Sequence, residues 1–221
     1  MKRNFSGRHS LILGVTGGIA SGKSMVTEAF RSLGACVVSA DELSREAVAP
    51  GSETLARLVA QFGRGILLPD GSLDRKALAE RIFRDRAARA ALNRITHPAI
   101  ASLAEMRLRE LVRQGERLIV YEAPLLFEAG AEGRVDAVLV VRIEESQQLA
   151  RLMRRDGLNE AQARARIAAQ MPQAEKVARA DFVIDNSGTP EGTLRQVKSL
   201  FSRLETAPPP SAPQGCEESR G

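Results

Sequence analysis

The sequence is poor in aromatic residues, cysteine and histidine, and each shortage excludes a class of protein. Aromatic residues make up 4% of the 221 residues, which argues against a single-strand nucleic-acid binder that stacks bases on rings. Because only Cys36, Cys216 and two histidines are present, we expect neither a disulfide scaffold nor a zinc site. The chain lacks 18 consecutive apolar residues and a signal-type segment, so we expect no membrane partner and a cytoplasmic protein.

What the chain does contain is an ordinary apolar fraction and an excess of arginine. Hydrophobic residues make up 43% and charged residues 27%, which is typical of a folded domain. The formal net charge is +5, and only five of the 32 basic residues are lysines. A basic excess of this kind predicts an anionic partner, which at this point is either a nucleic acid or a phosphorylated small molecule.

Short apolar runs alternate with helical patterns along the chain and predict one α/β domain over residues 11–205. The runs that predict strands are 11–15, 35–38, 118–121, 137–141 and 182–184. They do not alternate polar with apolar residues, so both faces of the predicted sheet are covered, as in a doubly wound parallel sheet. Residues 1–10 are predicted to be flexible, and the proline-rich residues 206–221 are predicted to be disordered.

The spacing of the predicted strands is uneven, which indicates two helical excursions from the sheet. The stretch between the second and third strands is far longer than a single crossover needs. It is predicted to hold helices at 52–62, 74–83, 85–95 and 99–114, with Asp74 as a helix cap. A second excursion, residues 145–179, follows the fourth strand and includes a helix over 146–156.

Residues 17–24 carry the strongest motif, the sequence GGIASGKS between a predicted strand and a predicted helix. In this P-loop (residues 17–24), glycines let several N–H groups converge on a phosphate at the helix N-terminus. Lys23 would reach the β- and γ-phosphates of ATP, and the Ser24 hydroxyl would bind Mg²⁺. The residues assigned to nucleotide binding are Gly17, Gly18, Ile19, Ala20, Ser21, Gly22, Lys23, Ser24 and Met25.

Two acidic residues at strand ends are candidates for supporting chemistry. Glu122 ends the third predicted strand and would hold Mg²⁺ through water if that strand neighbours the first. Asp41 follows the second strand, where a carboxylate can orient an attacking hydroxyl and accept its proton. Asp41 could equally be a helix N-cap, and the local sequence leaves both readings open.

Arg151 and Arg155 lie four residues apart on one face of a predicted helix. Two guanidinium groups on one face could stabilise a transferring phosphoryl group. In so arginine-rich a chain, however, the local sequence favours a solvated face over a functional one.

Beyond these residues, the chain resembles the dephospho-CoA kinase family, which catalyses the last step of coenzyme A synthesis. The resemblance runs in order over about residues 11–200 and rests on the P-loop together with more specific segments. These segments are 40–41, 50–51, 62–63, DGSLDR at 70–75, 92–93, HP at 97–98, PLLFE at 124–128, Gln170 and 184–186.

The resemblance implies a P-loop kinase that transfers the γ-phosphate of ATP to the 3′-hydroxyl of the dephospho-CoA ribose. It implies a core formed by 11–45, 116–143 and 180–204, a helical acceptor-binding insertion over 46–115, and a lid segment over 145–179. It assigns Asp41 as the catalytic base and Arg151 and Arg155 as lid arginines. It places Asn186 near the adenine and, near the acceptor, His97, Pro124, Leu125 and Phe127.

This chain departs from the family pattern at four positions. Ser39 replaces an aspartate after the second strand, and Glu122 replaces a shorter aspartate, which favours water-mediated contact with Mg²⁺. Ala20 and Met25 replace the commoner glycine and threonine of the P-loop. Ala20 tolerates fewer backbone torsions than glycine.

Three other functions are compatible with parts of the sequence. The first is another small-molecule or nucleotide kinase, and the second is a P-loop switch or nucleic-acid-bound ATPase. The guanine-specific Asn-Lys-x-Asp motif is missing, which disfavours a switch. Separately, we expect no nucleic-acid partner. The third is an inactive binding protein, against which Lys23, Ser24, Asp41 and Glu122 argue. The sequence carries no signal for oligomeric state.

Overall fold

The computed structural model describes residues 10–82 and 85–206 and contains a five-stranded sheet. The strands are β1 (Leu11–Gly17), β2 (Cys36–Ser39), β3 (Leu118–Glu122), β4 (Ala137–Arg142) and β5 (Phe182–Asp185). The helices are α1 (Lys23–Ser32), α2 (Ala40–Glu46), α3 (Glu53–Phe62), α4 (Arg75–Ile82), α5 (Arg86–Arg113), α6 (Glu145–Asp156), α7 (Glu160–Ala168), α8 (Gln173–Ala178) and α9 (Pro190–Thr206).

The sheet has the order β2-β3-β1-β4-β5, and the pairs β1–β3, β1–β4 and β4–β5 are parallel. The predicted five-stranded parallel sheet is therefore confirmed. Val15, two residues before the end of β1, lies opposite Glu122, and Gly17 lies opposite Val141. The carboxyl ends of these three strands thus meet at one edge, which is where ligands bind in open α/β sheets.

The chain divides into two compact units, which we describe separately. The first comprises residues 1–37 and 111–221, so the division falls within β2. Its core packs the sheet against α1 and α9 and includes Leu13, Phe30, Val120, Leu139 and Phe201. These apolar runs are buried on both faces of the sheet, as their lack of alternation predicts.

The second unit comprises residues 38–110 and has its own small core. Val48, Leu58, Ile66 and Leu78 form this core, to which α3 and α4 each contribute one buried leucine. The unit begins before the predicted insertion at residue 46 and ends before its predicted limit at 115.

The two helices predicted at 85–95 and 99–114 are one continuous helix, and the prediction of two is wrong. Pro98 lies inside α5 and removes the hydrogen bond that the Arg94 carbonyl would accept. Burial explains why the helix continues, because Ala91 precedes the proline and Ala104 and Leu108 follow it on the buried side. A proline ends a helix only where packing of the helix stabilises it by less than the lost hydrogen bond costs.

The predicted helix cap at Asp74 is confirmed by its hydrogen bonds, and the structure adds two further helix ends, at Ser52 and Gly157. Ser52 caps α3, and the Asp74 carboxylate accepts from the backbone N–H groups of Lys76 and Ala77, at 3.0 and 2.9 Å. Gly157 ends α6 in the left-handed conformation. The predictions of a flexible N-terminus and a disordered tail fall on residues outside those described, apart from residues 10 and 206. None of the helices in the described ranges is long and apolar enough to cross a membrane.

Candidate nucleotide-binding and phosphotransfer site

The P-loop connects the end of β1 to the start of α1, as the motif predicts. The Lys23 ammonium donates to the carbonyls of Gly17 and Gly18, each at 3.0 Å, so its side chain lies over the loop. Gly22 precedes α1 in the left-handed conformation, and among the described residues no side chain caps this helix. The first turn of α1 also lacks an acidic residue. Its N–H groups and positive dipole end therefore suit an anion such as a phosphate.

Ala20 has a φ of 58°, which places a residue with a Cβ in the left-handed region. This conformation costs an alanine about 1–2 kcal/mol relative to the right-handed one. Within the residues that the structure describes, the other positive φ values belong to glycines. Alanine in place of the commoner glycine therefore leaves the P-loop in the same left-handed turn. The turn is strained, so surrounding contacts must stabilise it.

Asn186 lies beneath the P-loop and is buried. Its amide nitrogen donates to the Ser21 carbonyl at 2.8 Å, and its amide oxygen accepts from the Thr193 hydroxyl at 2.9 Å. Both ends of the side chain are therefore engaged in holding the loop. The expected placement of Asn186 near the adenine stays a prediction.

The contact between Asn186 and Gly22 gives a test of this arrangement. A Cβ on Gly22 would lie 2.0 Å from the amide nitrogen of Asn186, and Gly22 has a φ of +90°. We expect Gly22→Ala to lower the free energy of unfolding by about 2–4 kcal/mol, from torsional strain plus the clash. Denaturant unfolding would measure this loss.

Gly34→Ala is the matched control, because Gly34 has a φ of +103° and open space around its Cα. It should show the torsional part alone, about 1–2 kcal/mol. Equal losses for the two variants would mean that the Asn186 contact does not constrain the loop.

Glu122 lies beside the first turn of α1, because β3 neighbours β1 in the sheet. Its carboxylate accepts from the Thr27 hydroxyl at 3.4 Å, and that hydroxyl also lies 3.1 Å from the Ser24 carbonyl. Carboxylate and hydroxyl oxygens are donors that Mg²⁺ accepts, usually with several waters retained. In the described ranges no group of three or more acidic, histidine or cysteine side chains could hold a metal. Ser24 and Glu122 therefore fit a water-rich Mg²⁺ site better than a closed protein cage.

The two predicted lid arginines have different surroundings. Arg151 donates to the Asn186 carbonyl at 3.3 Å, and a Cβ on Gly22 would lie 3.8 Å from its guanidinium. Arg155 instead forms two hydrogen bonds with Asp156, at 2.7 and 3.2 Å. Arg166 donates to the same carboxylate at 2.7 Å. The hydrogen bond from Arg155 holds the pKa of Asp156 below its ordinary value. The structure thus brings Arg151 to the P-loop and holds Arg155 on Asp156.

The segment 124–128 contains predicted acceptor-binding residues and is fixed by a buried lysine that the sequence did not single out. Lys176 in α8 is fully buried and lies 2.7 Å from the Glu128 carboxylate. It also donates to the Pro124 carbonyl at 3.3 Å, and the Thr16 hydroxyl donates to the same carbonyl at 3.1 Å. No local pattern marks Lys176, because its burial depends on how α8 packs against this segment.

The side chains of the same segment point to different surroundings. Phe127 is buried, with the guanidinium of Arg179 4.3 Å from its ring centroid. Leu125 is 49% exposed. Of the predicted acceptor contacts in this segment, Leu125 therefore offers a free apolar surface, while Pro124 and Phe127 are held within the protein.

Asp41 and His97 belong to the second unit and are both exposed. Ser39, not Asp41, is the N-cap of α2, with its hydroxyl 3.4 Å from the Glu42 N–H. The alternative reading of Asp41 as a helix cap is therefore wrong, and its carboxylate lies in the first helical turn. His97 lies inside α5 rather than after a helix.

Comparison with known proteins identifies the family of this chain. The family model for dephospho-CoA kinase matches residues 11–191. A dephospho-CoA kinase of Syntrophotalea carbinolica is 58% identical over 194 residues, which cover 88% of this chain and 92% of that protein.

Two solved structures extend the similarity to three dimensions. A Thermus thermophilus protein has a TM-score of 0.73 at 37% identity, over 89% of this chain and 99% of that one. A dephospho-CoA kinase from Campylobacter jejuni has a TM-score of 0.70 at 29% identity, over 88% of this chain and 96% of that one. Since the match spans the P-loop, the lid segment and the second unit alike, the chain belongs to the dephospho-CoA kinase family.

Proposed function

We propose that this chain transfers the γ-phosphate of ATP to the 3′-hydroxyl of the ribose of dephospho-CoA, giving coenzyme A and ADP. The observation that carries the proposal is the P-loop, with Lys23 folded over it and Glu122 beside the first turn of α1, in a chain of this family. ATP is the phosphate donor of this family, and dephospho-CoA is its acceptor.

The P-loop binds the β- and γ-phosphates through its N–H groups, and Lys23 neutralises charge on their oxygens. Ser24 would hold Mg²⁺ through its hydroxyl, and Glu122 would do so through water. The metal, when bound, neutralises the charge that develops on the phosphate oxygens during transfer. Phosphoryl transfer requires mainly positioning and charge stabilisation, so these residues supply most of what the donor side needs.

Asp41 orients the 3′-hydroxyl of the acceptor and takes its proton. The transition state is loose and the hydroxyl is a weak acid, so the proton moves late. Two features support the role: the carboxylate is exposed, and the capping of α2 is done by Ser39. His97 and Leu125 stay the predicted acceptor contacts that are open to solvent.

Arg151 and Arg155 stabilise the charge of the transferring phosphoryl group, and exclusion of water by the lid segment prevents hydrolysis of ATP. Arg151 is already beside the P-loop, whereas Arg155 must exchange its hydrogen bonds with Asp156 for bonds to phosphate. Because the bonds to Asp156 must first be broken, this exchange lowers the net free energy that Arg155 contributes to ATP binding.

The pairing of Arg155 leads to a prediction for Asp156→Asn. An amide accepts more weakly than a carboxylate, so Arg155 is released more easily, and we expect the KM for ATP to fall about two- to fivefold. Steady-state kinetics with varied ATP would measure the effect. The same substitution in an Arg155→Met background should change KM little, and an equal fall there would show that Arg155 is not involved.

Release of ADP from ATP and Mg²⁺, measured with and without dephospho-CoA, tests the proposed function. We expect strong stimulation by dephospho-CoA and a product that is heavier by one phosphate, located on the 3′-oxygen by mass spectrometry. A panel of nucleosides, nucleotides and small alcohols tests the alternative of another small-molecule kinase. Stimulation by one of these but not by dephospho-CoA would contradict the proposal.

A further inference from the structure

The peptide groups of Ile19, in the P-loop, are held on both sides by glutamines of the lid segment. The Ile19 N–H donates to the amide oxygen of Gln170 at 2.7 Å. The Ile19 carbonyl accepts from the amide nitrogen of Gln148 at 2.8 Å. Gln148 lies in α6 and Gln170 follows α7, so two separate elements of the lid segment hold one residue of the P-loop.

The approach of Gln148 is close and buried. Its side chain belongs to a residue that is 5% exposed, and a Cβ on Gly18 would lie 2.6 Å from its amide nitrogen. A side chain at position 18 would therefore displace the Gln148 amide from this contact. Loss of the glutamine would leave the carbonyl of half-buried Ile19 without this partner, which costs free energy.

These hydrogen bonds act on the strained residue that follows. The Ile19 carbonyl and the Ala20 N–H belong to one planar peptide unit, so fixing the carbonyl also fixes the direction of that N–H. The unit's orientation depends on the φ of Ala20, which is 58°. A left-handed alanine persists only where its surroundings over-determine it, and the two glutamines provide that constraint.

We propose that Gln148 and Gln170 are positioning residues for the nucleotide. They hold the Ile19 peptide so that the left-handed turn at Ala20 presents the loop's N–H groups to phosphate. Through them, the position of the lid segment acts directly on the shape of the P-loop. The proposal rests on the proposed function only in treating the P-loop as the site of the ATP phosphates.

Gln173 supplies a matched control, because it makes the same kind of contact elsewhere. Its amide oxygen accepts from the Ile143 N–H at 2.9 Å, and its amide nitrogen donates to the Ile143 carbonyl at 2.8 Å. Gln173→Met therefore removes two side-chain bonds to one backbone residue outside the P-loop. Methionine keeps the length of glutamine but not its hydrogen bonds, so Gln148→Met, Gln170→Met and Gln173→Met remove comparable groups.

The experiment is calorimetric titration of each full-length variant with ATP and Mg²⁺, alongside thermal unfolding. We expect Kd for ATP to rise about tenfold in Gln148→Met and in Gln170→Met, and to stay within twofold of wild type in Gln173→Met. All three variants should lose some thermal stability. Loss of stability without weaker ATP binding in the first two would overturn the proposal and leave the glutamines as structural braces.

Ala20→Gly adds a readout that a merely structural brace would not change. Glycine adopts the left-handed turn without strain, so in the Gln148→Met background it should restore at least threefold of the lost ATP affinity. The same substitution in the wild-type background measures its separate effect on the affinity, so that the double variant can be compared with the sum of the two single effects. Additive effects in the double variant would contradict the link between Gln148 and the Ala20 turn.

The outcomes also separate this proposal from the proposed function. Normal ATP binding without stimulation by dephospho-CoA would contradict the proposed function alone. If the wild-type chain did not bind ATP, both would be wrong.

Discussion

Replacing Glu128 by leucine is expected to lower the free energy of unfolding by about 3–5 kcal/mol, because it leaves a buried ammonium without its partner. Lys176 is fully buried, and its ammonium lies 2.7 Å from the Glu128 carboxylate. The remaining acceptor, the Pro124 carbonyl at 3.3 Å, carries no full charge. The side chain of Glu128 is itself 23% exposed, so we expect a loss at the lower end of this range. Urea unfolding of the two proteins would measure it.

The pair is tested by a second substitution and by a surface control. Removing both charges in Lys176→Met/Glu128→Leu should recover most of the loss, since an apolar pair of similar volume is often as stable as a buried ion pair. Glu28→Leu, which breaks the exposed pair with Arg31, should change stability by less than about 1 kcal/mol. A loss below about 1 kcal/mol for Glu128→Leu would show that Lys176 is not confined as described.

The same pair predicts a pH dependence. Partial burial acts to raise the pKa of Glu128, but hydrogen bonds from Lys176 and from the Met171 N–H outweigh it and hold the pKa below the ordinary 4.5. A carboxyl group with a lowered folded-state pKa contributes stability above its unfolded-state pKa, and this contribution is lost as the pH falls through the folded-state pKa. The stability difference between wild type and Glu128→Leu should therefore be full near pH 7 and shrink below about pH 4.5. A difference that stays constant down to acid unfolding would contradict this assignment.

For Asp41→Asn, we expect kcat to fall by about 10²–10⁴-fold while ATP binding is retained. Asparagine keeps the size and polarity of the side chain but cannot take the proton of the 3′-hydroxyl. The substitution should leave folding almost unchanged, because Ser39 caps α2 and Asp41 is exposed. Turnover at saturating substrates, together with calorimetric titration of ATP, separates catalysis from binding.

Glu42→Gln is the control for Asp41, since Glu42 is the next acidic residue in the same helical turn and is also exposed. It removes one negative charge from the first turn of α2, as Asp41→Asn does, and should change kcat less than twofold. Near-normal turnover of Asp41→Asn would remove Asp41 from the mechanism. An equal loss in both variants would show that the effect comes from charge alone.

The sequence predicted the elements and the P-loop well because both depend on neighbouring residues. The five apolar runs correspond to the five strands, and each observed strand overlaps its predicted range. The P-loop follows from consecutive residues whose torsions and functional groups are local properties. Local patterns were less reliable where packing opposed them, as at Pro98, where the helix continues through a residue that normally ends it.

The candidate site was predicted in part. Residues in motifs were identified because their types and spacing carry chemistry. The role of Glu122 was conditional on β3 lying beside β1, and the structure meets that condition. The different surroundings of Arg151 and Arg155 were not predictable from two arginines four residues apart. They depend on which carboxylate or carbonyl each guanidinium meets, which is a matter of side-chain packing.

By itself, the sequence determined the fold class, the P-loop and the family of this protein, because apolar periodicity, glycine torsions and contiguous motifs are encoded in short stretches of chain. Only the tertiary structure decided that Lys176 is buried against Glu128, that Asn186 holds the P-loop, and that two glutamines of the lid segment hold Ile19. These contacts join residues far apart in the sequence. Their partners are set by how helices pack on the sheet, which no local pattern specifies.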